Sequence, residues 1–446
     1  MRIEDFQERV FQLGKQLGFT DMEIYSEKVE SLGCKLYKGE IDSYQTSETL
    51  GVSFRGKMDG KMGYAYTENT DEDSIQYLVN EAKANSLLIE EDVQEEIFKG
   101  SEQYGDHTFY SEELNDVSIE EKIEFLKEIE KEVYAFDERV TGTNTLSLSS
   151  SEKEKRLVNS NGLVLKDRTN HIGLSVSVIV KQGKEVKNGV FSRVTRNYHS
   201  LAAKNVAEHA VKEALSKLNA ESADSKNYSV ILRNKAAAAL LQTFSPIFSA
   251  EQIQKGQSLL KGRLGQKVAA EHVHIVDDPF YGDGVRSGNF DSEGYATRKK
   301  DVIKDGNLLT FLHNSITAKK DNVESTGNAY KASYKGTITV APSNFYIYPA
   351  EKDLPDLVAQ VGDGILVTSF SGLHSGTNTV SGDFSIAAGG FLIENGEIKT
   401  ALKQMTVAGN FFDLLQQIEE VGSDLKFSLA FGSPSLLIKE LAVTIE

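Results

Sequence analysis

His272 and His274, one residue apart, are the two side chains in this 446-residue chain best spaced to share a metal ion. On a strand, positions two apart face the same side, so both imidazoles could reach one zinc. Such a site needs a third protein ligand, and nothing in the sequence nominates His313, His374 or a carboxylate. The plainer reading is a pair of partly buried histidines with backbone partners. Gly51-Val-Ser-Phe-Arg-Gly56-Lys57-Met58 comes within one residue of the phosphate-binding GxxxxGK[ST], but Met58 stands where a hydroxyl must hold Mg²⁺. A hairpin turn follows it instead of a helix start, so two glycines in a hairpin are the better reading. Gly282-Asp-Gly284-Val-Arg-Ser-Gly288 lacks the GxGxxG spacing, and its acid would oppose a pyrophosphate. Gly372-Leu-His-Ser375-Gly376 is misspaced for a GxSxG nucleophile elbow. Cys34, the single cysteine, has no catalytic surroundings and reads as a small packed residue; it excludes an intramolecular disulfide and fits a reducing cytoplasm.

The net charge is −17, with 39% hydrophobic and 26% charged residues, the balance of an ordinary soluble globular protein. A phosphate backbone would be repelled on average, and Arg298-Lys299-Lys300 and Lys319-Lys320 are too short to override that. Nucleic acid is not an expected partner. No apolar run is long enough for a transmembrane helix, and the N-terminus is amphipathic with no apolar signal core.

Spacings of three and four among Ile3, Phe6, Val10, Leu13 and Leu17 predict an opening helix. Residues 22–67 read as strands with a hairpin at Asp59-Gly60, and Asp71 or Asp73 caps a helix over 71–88. Residues 89–117 are acidic and irregular and read as a surface connection. A helix starting at Ser118 follows, then separate strands at 146–148, 156–158, 163–166, 172–181 and 186–193, and a helix over 198–218. The small polar run 219–227 divides the chain into domains at 1–222 and 223–446. Beyond a strand at 229–233, an alanine-rich helix over 235–243 and an amphipathic segment at 250–264 comes a long stretch, Val276–Gly327, whose glycine-rich loop leads onto a hairpin at Lys304-Asp305-Gly306-Asn307. After it the chain reads as almost wholly β, with strands at 337–341, 344–347, 365–370, 384–391 and 392–398 and one late helix over 410–421. The class is α+β: a mixed α/β N-terminal domain followed by a β-rich C-terminal domain.

Three blocks carry a resemblance that spans nearly the whole chain. The first is Gly51–Arg55 with Gly63-Tyr-Ala-Tyr-Thr67; the second is Val276-Asp-Asp-Pro279 through Asp291-Ser-Glu-Gly294 to Leu312; the third is Thr379–Ser385, Ile393–Ile398, Ala408-Gly409-Asn410 and Val421–Leu425. In these the chain resembles the TldD/PmbA family, also known as modulators of DNA gyrase, and within it the PmbA/TldE type. The resemblance implies a cytoplasmic, zinc-dependent peptidase system in which a TldD-type subunit holds the metal and a TldE-type subunit pairs with it around a cavity for unfolded peptides. TldD-type chains carry HExxxH on the helix after the first strand of the C-terminal half, two histidines one turn apart with a glutamate as general base. The matching region here, Arg233–Gln242, holds neither histidine nor carboxylate, and Phe431–Pro434 replaces a late cysteine ligand. No catalytic, cofactor-binding or metal-binding residue therefore carries over, and zinc is expected only in a TldD-type partner.

The leading expectation is a zinc-free TldE/PmbA-like subunit that lines a peptide cavity, inactive as an enzyme without a TldD-type partner. One alternative is a stand-alone peptidase with a non-standard metal site at His272 and His274. The other is a non-catalytic homodimeric peptide-binding protein. Under the first reading Val276–Gly327 shapes a cavity wall.

Overall fold

Long extended segments build the N-terminal half around one antiparallel sheet. In the computed structural model, which describes residues 1–89 and 95–446, helix α1 (Ile3–Gln16) buries Phe6 and Val10 and leads into two long strands, β1 (Asp21–Tyr37) and β2 (Glu40–Met58). β3 (Lys61–Thr67) returns across Asp59 and Gly60, both at positive φ as a type I′ turn requires. Asp71 caps α2 (Glu72–Leu87) by accepting the Ser74 N–H at 2.8 Å. A short α3 (Glu113–Asp116) precedes α4 (Ile119–Phe136), whose N-cap Ser118 accepts the Glu121 N–H at 3.1 Å. β4 (Val140–Asn159), β5 (Val164–Gln182) and β6 (Glu185–Thr195) complete a six-stranded sheet ordered β3-β2-β1-β4-β5-β6, and α5 (Ala203–Ser216) follows. α1 and α2 pack Phe6, Ile75, Leu78 and Val79 against Ile24 and Phe54, while α4 and α5 pack Leu126, Ile129, Val206 and Ala210 against Leu146 and Val176.

The C-terminal half opens with β7 (Lys226–Leu232), α6 (Asn234–Phe244) and α7 (Ala250–Gln254). β8 (Ile275–Asp277), β9 (Lys300–Lys304), β10 (Asn307–Leu308), α8 (Ser315–Asp321), β11 (Ala329–Tyr330), β12 (Thr339–Val340), β13 (Phe345–Ile347) and α9 (Leu354–Val361) come next. The chain ends with β14 (Gly364–Ser371), β15 (Asp383–Glu394), β16 (Glu397–Ala401), β17 (Met405–Asn410), α10 (Phe411–Gln417), β18 (Ile418–Val421), β19 (Lys426–Ser428), β20 (Phe431–Ser433) and β21 (Leu436–Ile445). One sheet runs β14-β7-β21-β17-β15-β16 and closes on itself because β14 also pairs with β15. A second runs β10-β9-β8-β13-β20-β19, and α6 is buried in the core that both share.

The α+β organisation expected from the sequence holds, and the corrections to its elements are local. The polar run Ser149–Lys155 stays inside β4, because β1 and β5 pair with it on both sides. The connection read as surface is partly interior: Ile97, Phe109, Leu114 and Val117 are buried, whereas its residues 90–94 lie outside the described ones. The amphipathic segment at 250–264 is helical only to Gln254, since Gly256, Gly262 and Gly265 turn the chain at positive φ. The late helix stops at Gln417, where the backbone pairs with β21 as β18. α9 was unforeseen; Asp353 caps it and Pro355 falls in its first turn, two start signals in a stretch read as β.

Candidate functional site

The glycine-rich stretch folds against β1 and β2, and charged side chains are buried where they meet. Glu23 and Arg55 are directly opposed across β1 and β2. Arg55 donates to both Glu23 carboxylate oxygens, Nε to Oε1 at 2.7 Å and Nη2 to Oε2 at 3.2 Å, with side-chain exposures of only 5% and 2%. Glu293 comes within 3.9 Å of the same guanidinium and accepts from the Ser315 hydroxyl and amide at 2.6 and 2.8 Å. Lys331 donates to the Ser53 Oγ at 2.8 Å and lies over the rings of Tyr25 and Tyr64. Burial, reinforced by repulsion from Arg55, pulls the Lys331 ammonium down to about 7. Asp291 is pushed up to about 7, first by burial and then by Glu293, although three backbone N–H groups (Glu293, Tyr295, Ala329) donate to its carboxylate.

Asp277 and Gly284 hold the path of the stretch. Buried Asp277 accepts from Lys300, Asn328 and Ser343, which ties β8 to the loops around it. A Cβ on Gly284 would fall 2.4 Å from the Asn344 side chain, whose amide holds the turn by donating to the Asp278 carbonyl at 2.8 Å and the Ser287 hydroxyl at 3.0 Å. That is a glycine required by close approach, with no phosphate cradle implied. The segment after residue 94 straps the other side: Tyr104 donates to the Gly294 carbonyl at 2.8 Å, and Phe98 stacks on Tyr295 at 3.6 Å.

Between the sheet and this stretch lies a cavity of about 220 Å³ bordered by Tyr25, Lys153, Lys155, Arg286, Asp291 and Lys331. Its volume is below the roughly 300–1,000 Å³ of small-molecule pockets, room for a side chain rather than a whole peptide. Its charged groups are engaged by the protein itself: Lys155 donates to the Phe290 carbonyl at 2.9 Å, Lys153 pairs with Glu27, and Arg286 donates to the Pro342 carbonyl at 3.2 Å. The arrangement can position and contact a chain; it presents no nucleophile paired with a free base among the described residues.

The residues singled out in the sequence fall elsewhere. His272 and His274 precede β8 instead of lying on it, so the same-face argument does not apply. His272 is exposed, and His274 Nε2 meets Asp305 Oδ1 at 2.9 Å in the hairpin turn, where Asp305 and Gly306 take positive φ. Among the described residues no three His, Cys, Asp or Glu side chains converge as a metal site. Gly51–Met58 lies wholly within β2. Cys34 is packed beside Leu36, and burial pushes its thiol up. On α6, Ala236, Ala237, Ala238, Leu240 and Leu241 are buried in apolar core, and no histidine anywhere in the chain is followed by glutamate. The donor set for a zinc of the HExxxH kind does not fit here. The Glu23–Arg55 and Ser53–Lys331 contacts were missed by sequence reasoning; the available signal was charge set beside apolar residues, Glu23 between Met22 and Ile24 and Arg55 after Phe54.

Descriptions of the PmbA/TldA metallopeptidase match three parts of the chain: domain 1 at residues 22–86, the central domain at 112–218 and the C-terminal domain at 225–445. The Haemophilus influenzae metalloprotease PmbA homolog is 28% identical over 331 residues, 74% of this chain and 71% of that protein. The Buchnera aphidicola metalloprotease TldD homolog is 26% identical over 440 residues, 94% and 88% of the two chains. Among solved structures, a putative modulator of a DNA gyrase from Thermotoga maritima superposes with a TM-score of 0.92 at 31% identity, covering 99% of this chain and 100% of that one. TldE from Thermococcus kodakarensis shares the fold, with a TM-score of 0.89 at 24% identity over 98% and 100% of the chains. The chain belongs to the PmbA/TldD family of metallopeptidases.

Proposed function

We propose that this chain is the zinc-free, TldE/PmbA-type subunit of a TldD-type metallopeptidase and works in the cytoplasm on unfolded peptides. The observation that carries the reading is α6, the helix after the first strand of the C-terminal half, where the resemblance implies HExxxH in a TldD-type chain and where this chain buries alanine and leucine in the core. The subunit's part is to supply cavity wall and peptide contacts, with Val276–Gly327 joined to β1 and β2 through the Glu23–Arg55–Glu293 cluster.

An unpaired edge of the N-terminal sheet supports the partner part of this reading. β3 pairs with β2 only from Val52 onward, so residues 40–51 keep one bare edge among the described residues, beside exposed Tyr37, Ile41 and Tyr44. A bare edge invites strand addition by another chain. Its charged residues, Glu40, Asp42 and Glu48, are all acidic, which disfavours pairing with a second copy of itself and favours a different partner strand. Co-purification with a TldD-type chain from the same cell tests the reading. A stable complex with peptidase activity supports it; no complex and no activity on mixing overturns it.

A further inference from the structure

We propose that the cleft at the start of α6 is a binding site for an acidic peptide segment, an inference that rests on the peptide-handling role above and names the chemistry it selects. The cleft has a volume of about 560 Å³ and lies between α5, α6, β14–β16 and β19. That size falls inside the range of ligand pockets, unlike the cavity under the glycine-rich stretch.

Its walls run against the charge of the molecule. The whole chain carries −17, yet Lys212, Lys217, Arg233, Lys235, Lys399 and Lys426 all border this cleft. Three of them are neutralised locally: Lys212 by Glu208, Lys217 by Glu213 and Lys399 by Glu397. The side chains of Arg233, Lys235 and Lys426 have no ion pair or hydrogen bond among the described residues. Lys235 and Lys426 are half-buried, and burial pulls both ammonium groups below their ordinary range; Glu213 opposes the shift at each, while Arg233 adds to it. Arg233 and Lys235 also flank the positive end of the α6 dipole, where cations are disfavoured. Like charges gathered and left unpaired cost stability unless an anion joins them. Two acids lie close without pairing to these three: Glu213 borders the cleft and acts on Lys235 and Lys426 through space but is ion-paired to Lys217, and Asp424 accepts from Asn234 at 3.1 Å and from Ser435 at 2.7 and 2.8 Å.

The rest of the lining specifies more than an anion. Leu354, Leu366, Phe391 and Ile398 give the cleft an apolar side. A bare phosphate has no use for that surface, whereas a peptide with carboxylates and aliphatic side chains satisfies both halves. Carboxylates would meet Arg233, Lys235 and Lys426 as charge-assisted hydrogen bonds, with aliphatic groups on Phe391 and Ile398.

The test is fluorescence anisotropy on the full chain with a labelled peptide of alternating Glu and Leu, its Gln–Leu counterpart and inorganic phosphate as competitor. The Glu–Leu peptide is expected to bind at least about tenfold more tightly than the Gln–Leu peptide, the scale of one lost charged hydrogen bond. Lys235→Glu/Lys426→Glu should remove that preference, and the milder Lys235→Ala/Lys426→Ala should reduce it, both with melting temperatures no lower than wild type. Equal binding of the two peptides, no binding of either, or a preference that survives charge reversal overturns the proposal. Displacement by phosphate at concentrations comparable to the peptide overturns the peptide assignment. Co-purification of a TldD-type partner is measured separately on the wild-type chain, so failure of the complex and failure of this cleft are told apart.

Discussion

Arg55→Met removes the positive centre of the cluster that joins the N-terminal sheet to the glycine-rich stretch. Methionine keeps most of the volume, so the change isolates charge from cavity formation. What remains is Glu23, almost wholly buried, deprived of both guanidinium hydrogen bonds and still near Glu293. Breaking a buried pair from one side costs about 3–5 kcal/mol, because the surviving charge is left without compensation. Removing both partners in Glu23→Leu/Arg55→Met should restore most of that, since replacing a buried pair with apolar side chains is often neutral. The assay is urea unfolding of wild type, single and double variants. It carries a pH signature as well. Burial already raises the Glu23 carboxyl, and without Arg55 it rises further, so the folded variant binds a proton that the unfolded chain releases. A raised folded-state value gives stability that is lost as pH increases, so the single variant should lose more relative to wild type at pH 8 than at pH 5. A loss under about 1 kcal/mol, or a double variant as unstable as the single one, would refute the reasoning.

Other outcomes follow from the same geometry. Gly63→Ala places a Cβ 1.9 Å from the Ala82 carbonyl oxygen of α2, a backbone clash that should cost about 1–3 kcal/mol in the same urea assay; an unchanged midpoint would contradict it. Lys331 titrates near 7 when folded against an ordinary 10.5, so its contribution is complete above 10.5 and is lost as pH falls towards 7. Stability should therefore climb by up to about 1.4 kcal/mol per pH unit across that window, and Lys331→Met should flatten the climb. Purified protein exposed to zinc and desalted should retain no stoichiometric metal by elemental analysis, with His272→Ala/His274→Ala making no difference; one zinc per chain that disappears in that variant would restore a metal site there.

The sequence made the element types legible wherever periodicity was strong and caps were explicit, as at α1, α2 and the Asp59-Gly60 and Asp305-Gly306 turns. It also made the lack of histidine and carboxylate on α6 legible, because a motif is a local pattern. It could not show strand length, since Ser149–Lys155 looks like a loop until its neighbours supply hydrogen bonds on both sides. Nor could it show the buried cluster: Glu23 and Arg55 become partners only in the β1–β2 register, and Glu293 and Lys331 join them from far along the chain. The cationic cleft was hidden for the same reason, with Arg233, Lys235 and Lys426 brought together across almost half the molecule.

Mixing the purified chain with the TldD-type protein of the same cell, and measuring both complex mass and hydrolysis of an unfolded peptide, tests the central claim most directly. A hetero-oligomer whose peptidase activity requires both chains, and whose activity a chelator abolishes, is the predicted result. Hydrolysis by this chain alone, or two chains that neither associate nor gain activity together, would contradict it.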